Sequence, residues 1–139
     1  MKISKPTLRK HLFDEVYCKL GASPIHGVGV FSIREIPKNV NPFKGPAKSR
    51  EMKFKRALVK NLPGSVRRVV ETFCYFDDEE IYIPSSGLNA LNMAIYLNHS
   101  KTPNVYYEKD GVVKALRRIK AGEELALDYD INFGETHKF

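Results

Sequence analysis

The chain has 139 residues, a net charge of +7, 42% hydrophobic residues and two cysteines. That length is enough for one domain with a real core. Cys18 and Cys74 are too few and too far apart for a disulfide framework or a zinc site. MKISKPTLRKH has no apolar leader, and no apolar run approaches a membrane span, so the expected setting is intracellular, cytoplasmic or nuclear.

In EVYCKLG, Val16, Cys18 and Leu20 alternate onto one face, which predicts a strand. After the turn SPIHG, GVGVFSI predicts a second strand with glycines at its start. NVNPFKG carries two breakers and excludes a long regular element. Residues 49–62 are predicted as a helix, from a Ser49 cap to a Pro63-Gly64 stop. Val66, Val69, Val70 and Phe73 then recur at helical spacing, while Phe73, Tyr75, Ile81 and Ile83 equally fit the start of a strand pattern. EEIYIP reads as a short strand, and LNALNMAIYL as a partly buried helical run. VYYEKDGVVKALRRI predicts a hairpin turning at Asp110-Gly111, where a positive φ is easily reached. KAGEE is a second turn and ELALDY an alternating strand. The expected class is α+β, strand-dominated.

Charge is uneven. Nine basic residues lie between Lys44 and Arg68 against the one acid Glu51, and DDEE follows at 77–80. The basic segment 44–68 is either a solvated face or a surface for nucleic acid or an acidic partner. The acidic cluster reads as a solvated turn.

Walker loop, zinc spacing and nucleophile elbow are all missing from the sequence. Gly27-Val28-Gly29 precedes a strand where a dinucleotide fold needs a helix, and the third glycine is lacking. Those glycines either ease a bend or let backbone approach a ligand. His99 and Ser100 are adjacent and point apart, so they are no nucleophile–base pair, and the remaining histidines show no metal spacing. In YLNHSKTPN, Asn98 is either a helix cap or a ligand contact.

Three segments in order, HGVGVFS, YLNHSKTPN and GEELALDY, resemble the motifs of the SET-domain protein lysine methyltransferases. The likeness spans about residues 15–131. It implies one minimal SET domain over 1–139, without flanking zinc-binding segments and with a variable, substrate-selecting insert at about 46–90. The implied fold has several short sheets and a knot-like crossing near the C-terminus. The resemblance further implies transfer of a methyl group from S-adenosylmethionine to a lysine amine of a protein or peptide. Asn98 and His99 would contact the cofactor, with the backbone of His26, Gly27, Val28 and Gly29 along its other side. Tyr129 matches the catalytic tyrosine and Tyr107 a tyrosine of the lysine channel, while Tyr106 faces the other way along its strand. Phe43 and Ile131 fall at channel positions where a tyrosine, and a phenylalanine or tyrosine, are usual. Lys101 stands where a cysteine is frequent, and Phe133 or Phe139 are candidates to cover the site.

No metal is expected, because in-line displacement asks mainly for alignment of two reactants. It also asks for a neutral lysine, which a desolvating aromatic channel favours. An inactive SET-fold module that binds nucleic acid or an acidic protein through 44–68 is the competing expectation. A non-protein amine substrate and a monomer or homodimer both remain open.

Overall fold

The computed structural model describes residues 3–46, 50–108 and 111–133. In chain order the elements are α1 (Lys5–Asp14), β1 (Cys18–Ala22), β2 (Val28–Ser32), β3 (Glu51–Lys55), α2 (Ala57–Lys60), α3 (Gly64–Phe73), β4 (Glu80–Pro84), β5 (Asn98–His99), β6 (Val105–Tyr107), β7 (Val113–Ala115), β8 (Glu124–Leu127) and α4 (Tyr129–Phe133). A 3-10 turn covers Met93–Tyr96. The chain divides into two compact units, Met1–Pro46 with Tyr96–Phe139, and Ala47–Ile95.

In the first unit a four-stranded sheet runs β1-β2-β8-β5. The β1–β2 hairpin pairs Cys18 with Ser32 and Ala22 with Val28, antiparallel. β8 joins β2 antiparallel through Val30–Leu125 and Phe31–Glu124. On its other edge β8 takes β5 in parallel, Asn98 beside Ala126 and His99 beside Leu127. Leu125, Ala126 and Leu127 are all buried, as a strand covered on both faces requires. They share the core with Val30, Ile36, Leu97 and Ile119. Parallel pairing needs a long connection, and the β6–β7 hairpin supplies it, with Val105 opposite Ala115 and Tyr107 opposite Val113. Gly111 has φ +82° and Gly122 φ +89°, so the predicted glycine turns are real; Asp110 lies outside the described residues.

The composition pattern did not predict α1. Ser4 caps it by accepting from the Thr7 N–H, and Pro6 sits in its first turn. None of its residues is buried, so it carries no apolar stripe to read. Its C-terminal end is held locally: Arg34 donates to the Phe13 carbonyl at 3.1 Å. The same guanidinium stacks 4.3 Å from the Tyr17 ring centre.

The second unit corrects the helix expected over 49–62. Glu51–Lys55 is a strand, paired antiparallel with β4 so that Met52 faces Ile83 and Phe54 faces Ile81. Only one helical turn, Ala57–Lys60, follows before Pro63-Gly64. The expected Ser49 cap lies outside the described residues. α3 then runs to Phe73, and Cys74 leaves it in extended conformation. Phe76 forms a bridge with Ile81, so helical and strand signals both hold on their own sides of that boundary. Val59, Val70, Cys74 and Ile81 form the core of this unit, with Leu62, Phe76, Ile83 and Leu88 packed on it. The run LNALNMAIYL is not a helix beyond its 3-10 turn, which Asn92 opens by accepting from the Ala94 N–H at 2.8 Å. Among the described residues no helix is long and apolar enough to cross a membrane.

Candidate active site

The first unit brings the three motif segments together on β2, β8 and β5. The glycine segment begins in a tight turn, with the Ser23 N–H donating to the Gly27 carbonyl at 2.8 Å. Gly27 has φ +50°, which favours glycine. Gly29 is constrained differently: a Cβ there would lie 2.4 Å from Glu124 Oε2 and 2.9 Å from the Ser23 Cβ. The space beside Gly29 is filled by the Glu124 carboxylate.

Asn98 is buried at the start of β5 and caps no helix. Its Nδ2 donates to the His26 carbonyl at 3.0 Å, the Val28 carbonyl at 3.3 Å and Glu124 Oε2 at 3.0 Å. Three acceptors around one nitrogen fix the amide's orientation. Oδ1 is thereby turned away from the glycine segment. Ser23 Oγ donates to the same carboxylate, 2.9 and 2.8 Å from its two oxygens. Ser23 Oγ in turn accepts from the N–H groups of Ile25 at 3.0 Å and His26 at 3.3 Å.

Asn104, the last residue of the NHS-x-x-PN motif, is 5% exposed and acts as a piece of strand. Its Oδ1 accepts from the Ala126 N–H at 2.8 Å and its Nδ2 donates to the Glu124 carbonyl at 2.9 Å.

His99 points to the other motif. Its Nδ1 accepts the main-chain N–H of Tyr129 at 3.1 Å, and the two rings are 5.4 Å apart at 57°. The Tyr129 hydroxyl donates to the Leu97 carbonyl. Burial pushes its phenol above the ordinary value, so it remains a donor at neutral pH. Asp128, 5% exposed, caps α4 by accepting from the N–H groups of Asp130 at 3.0 Å and Ile131 at 3.3 Å. Asn132 on α4 donates to the Asp128 carbonyl at 2.7 Å and accepts from the Tyr107 N–H at 2.9 Å. Tyr107 and Tyr129 are thus tied to one short helix.

Of the expected channel residues, Phe43 is half-buried and its N–H donates to Asn41 Oδ1 at 2.9 Å. Ile131 is 79% exposed. Tyr106 is half-buried, its hydroxyl donating to Glu108 at 2.8 Å. The Phe133 side chain and Phe139 lie outside the described residues.

Lys101, at the position where a cysteine is frequent, pairs with Asp130 and lies 3.8 Å from Asp128. His99, Asp128 and Asp130 bring three ligating groups within 4.8 Å of one another. A cation there would compete with the Lys101 ammonium. Burial pushes the Cys18 thiol up to about 12 and also raises Cys74, so neither supplies a thiolate at neutral pH.

Ser23 and Asn132 escaped the sequence reading as functional residues, and Glu124 and Asp128 were seen only as part of GEELALDY. Glu124 had a signal, a carboxylate opening a strand that is otherwise buried. Ser23 had none beyond its place in a turn.

A family model for the SET domain matches residues 27–130. The chain belongs to the SET-domain family. Among solved structures, it is similar to the crystal structure of a Plasmodium falciparum "putative histone methyltransferase", with a TM-score of 0.56 and 22% identity, over 86% of this chain and 98% of that one. That likeness shows the fold. No curated protein matches the chain in sequence.

Proposed function

We propose that the protein is a lysine methyltransferase that uses S-adenosylmethionine and acts on a protein or peptide. The observation that carries this reading is the meeting of Asn98, His99 and Tyr129 with the glycine segment around β8. Asn98 Oδ1, accepting nothing among the described residues, suits an ammonium donor on the cofactor. The exposed residues His26 to Val28 suit close approach of a ligand. These residues fit the group, and together with His99 they would hold it; when bound, it supplies a methyl group on a sulfonium leaving group.

The chain's own residues do the remaining work. Tyr129, a half-buried neutral phenol, is suited to orient an amine by hydrogen bonding and poorly suited to removing a proton. Tyr107 flanks it through their common attachment to α4. Phe43 and Ile131 are assigned to the lysine channel, and the insert at about 46–90 to substrate selection. Residues 1–139 are taken as one SET domain.

Titration of S-adenosylmethionine by calorimetry tests the cofactor half of this reading. Saturable binding to the wild type that weakens at least about tenfold in Asn98→Ala is expected, since a buried amide with three partners is lost. Absence of binding to the wild type would overturn it.

One observation favours a second reading. In the 47–95 unit a cleft of about 360 Å³ is lined by Arg56, Lys60 and Arg67 with Phe76 and Ile81, and by the acids Asp78 and Glu71, the latter paired with Arg67 at 2.7 Å, which leaves one basic group in excess. Arg56 stacks 4.7 Å from the Phe76 ring centre. Such a face suits an acidic partner, nucleic acid included. Binding that falls steeply with salt and needs no cofactor would mark this alternative.

A further inference from the structure

We propose that Glu124 is a positioning residue that sets the glycine turn and the Asn98 amide in their binding geometry; the proposal rests on the methyltransferase reading above. Its carboxylate connects three stretches of chain that only the fold brings together. Ser23 donates to it from the turn, Asn98 donates to it from β5, and it projects from the first residue of β8. It also occupies the volume that any side chain at Gly29 would need.

The chemistry requires an acceptor on both sides. Ser23 Oγ already accepts from Ile25 and His26, so its single proton is directed at Glu124. Asn98 Nδ2 approaches the same carboxylate as a donor. An ionised carboxylate meets both donors and offers no hydrogen of its own. An amide in its place would turn an N–H toward one of them. Among the described residues no basic side chain pairs with Glu124, so its charge is balanced through these hydrogen bonds, the stronger charge-assisted kind. With Nδ2 bound to Glu124 and to the His26 and Val28 carbonyls, Oδ1 has one direction left to face. Glu124 therefore controls which atom of Asn98 is presented, and it anchors the serine that holds the Ile25 and His26 amides.

Glu124→Gln keeps the shape and removes the double acceptor, so it separates positioning from packing. The variant should bind S-adenosylmethionine at least about tenfold more weakly, one partly buried charge-assisted bond having been lost. Its KM for the cofactor should rise by more than its kcat falls. Hydrogen exchange at the Ile25 and His26 amides should accelerate in the ligand-free protein. Ser23→Ala should accelerate the same amides, and it carries the test if Glu124→Gln does not fold. Glu124→Asp should recover part of the affinity. Wild-type affinity together with unchanged exchange at Ile25 and His26 would overturn the proposal. If the wild type binds no cofactor, the methyltransferase reading fails separately. The exchange rates at those two amides then decide the positioning role alone.

Discussion

The main-chain N–H of Tyr129 donates to Nδ1 of His99 at 3.1 Å, across thirty residues of sequence. One motif therefore sets the position of the other by a hydrogen bond to backbone. With Nδ1 accepting, a neutral His99 carries its proton on Nε2. The bond lies where β8 gives way to α4, so it sets where the Tyr129 side chain begins. On the proposed methyltransferase reading, His99→Ala should lower methyl transfer by about a hundredfold, the usual scale for small misplacement of a catalytic group. His99→Asn, which can still accept near the Nδ1 position, should retain more activity. Equal kcat values for the two variants would contradict this role.

Burial holds the Tyr129 phenol above its ordinary value. The folded state thus keeps this proton more tightly than the unfolded one. The resulting stabilisation is complete below the ordinary phenol pKa of about 10 and is lost as pH rises through the folded value. The chain has seven tyrosines, and an ultraviolet titration of wild type against Tyr129→Phe should remove a late component. A missing component that titrates at or below the ordinary value would contradict the half-buried donor.

Asn104 replaces a strand partner with a side chain. Both its amide atoms bond to β8 backbone in a site 5% exposed. Asn104→Ala leaves a buried N–H and a buried carbonyl unpaired, and should cost about 2–4 kcal/mol in urea unfolding. Asn104→Asp preserves the acceptor but sets an oxygen against the Glu124 carbonyl, and should cost at least as much. A loss below about 1 kcal/mol in the alanine variant would mean that water replaces both bonds.

Much of the fold was legible because its signals are local. Glycines at 111 and 122 mark turns that need positive φ, and the apolar pattern of ELAL marks a buried strand. What failed needed information from far along the chain. EMKFK combines good helix formers, and its strand character depends on Ile81 and Ile83 lying opposite Phe54 and Met52. α1 buries nothing, so no periodicity betrays it. In the candidate site, the meeting of Asn98, His99 and Tyr129 was legible through their motifs. The Ser23–Glu124 bond spans 101 residues, and no local pattern announces it.

In the second unit, Asp77 closes the turn before β4 by accepting from the N–H groups of Glu79 at 2.9 Å and Glu80 at 2.8 Å. The Glu79 bond first, then that of Glu80, holds its carboxyl below the ordinary range. A lowered pKa stabilises the fold above the ordinary carboxylate value of about 4, and that contribution is lost as pH falls through the folded value. Asp77→Ala should therefore have a lower urea midpoint than wild type near neutrality, with the gap closing on acidification. A gap that widens at low pH would contradict the capping role.

Methyl transfer itself tests the central claim most directly. Wild type and Tyr129→Phe are incubated with methyl-labelled S-adenosylmethionine and candidate proteins, and the label on lysine is read by mass spectrometry. The account predicts labelled lysine with the wild type, reduced about a hundredfold in the variant by loss of the orienting hydroxyl. Equal labelling by both proteins would contradict the role given to Tyr129. A wild type that neither binds the cofactor nor transfers its methyl group would contradict the account as a whole.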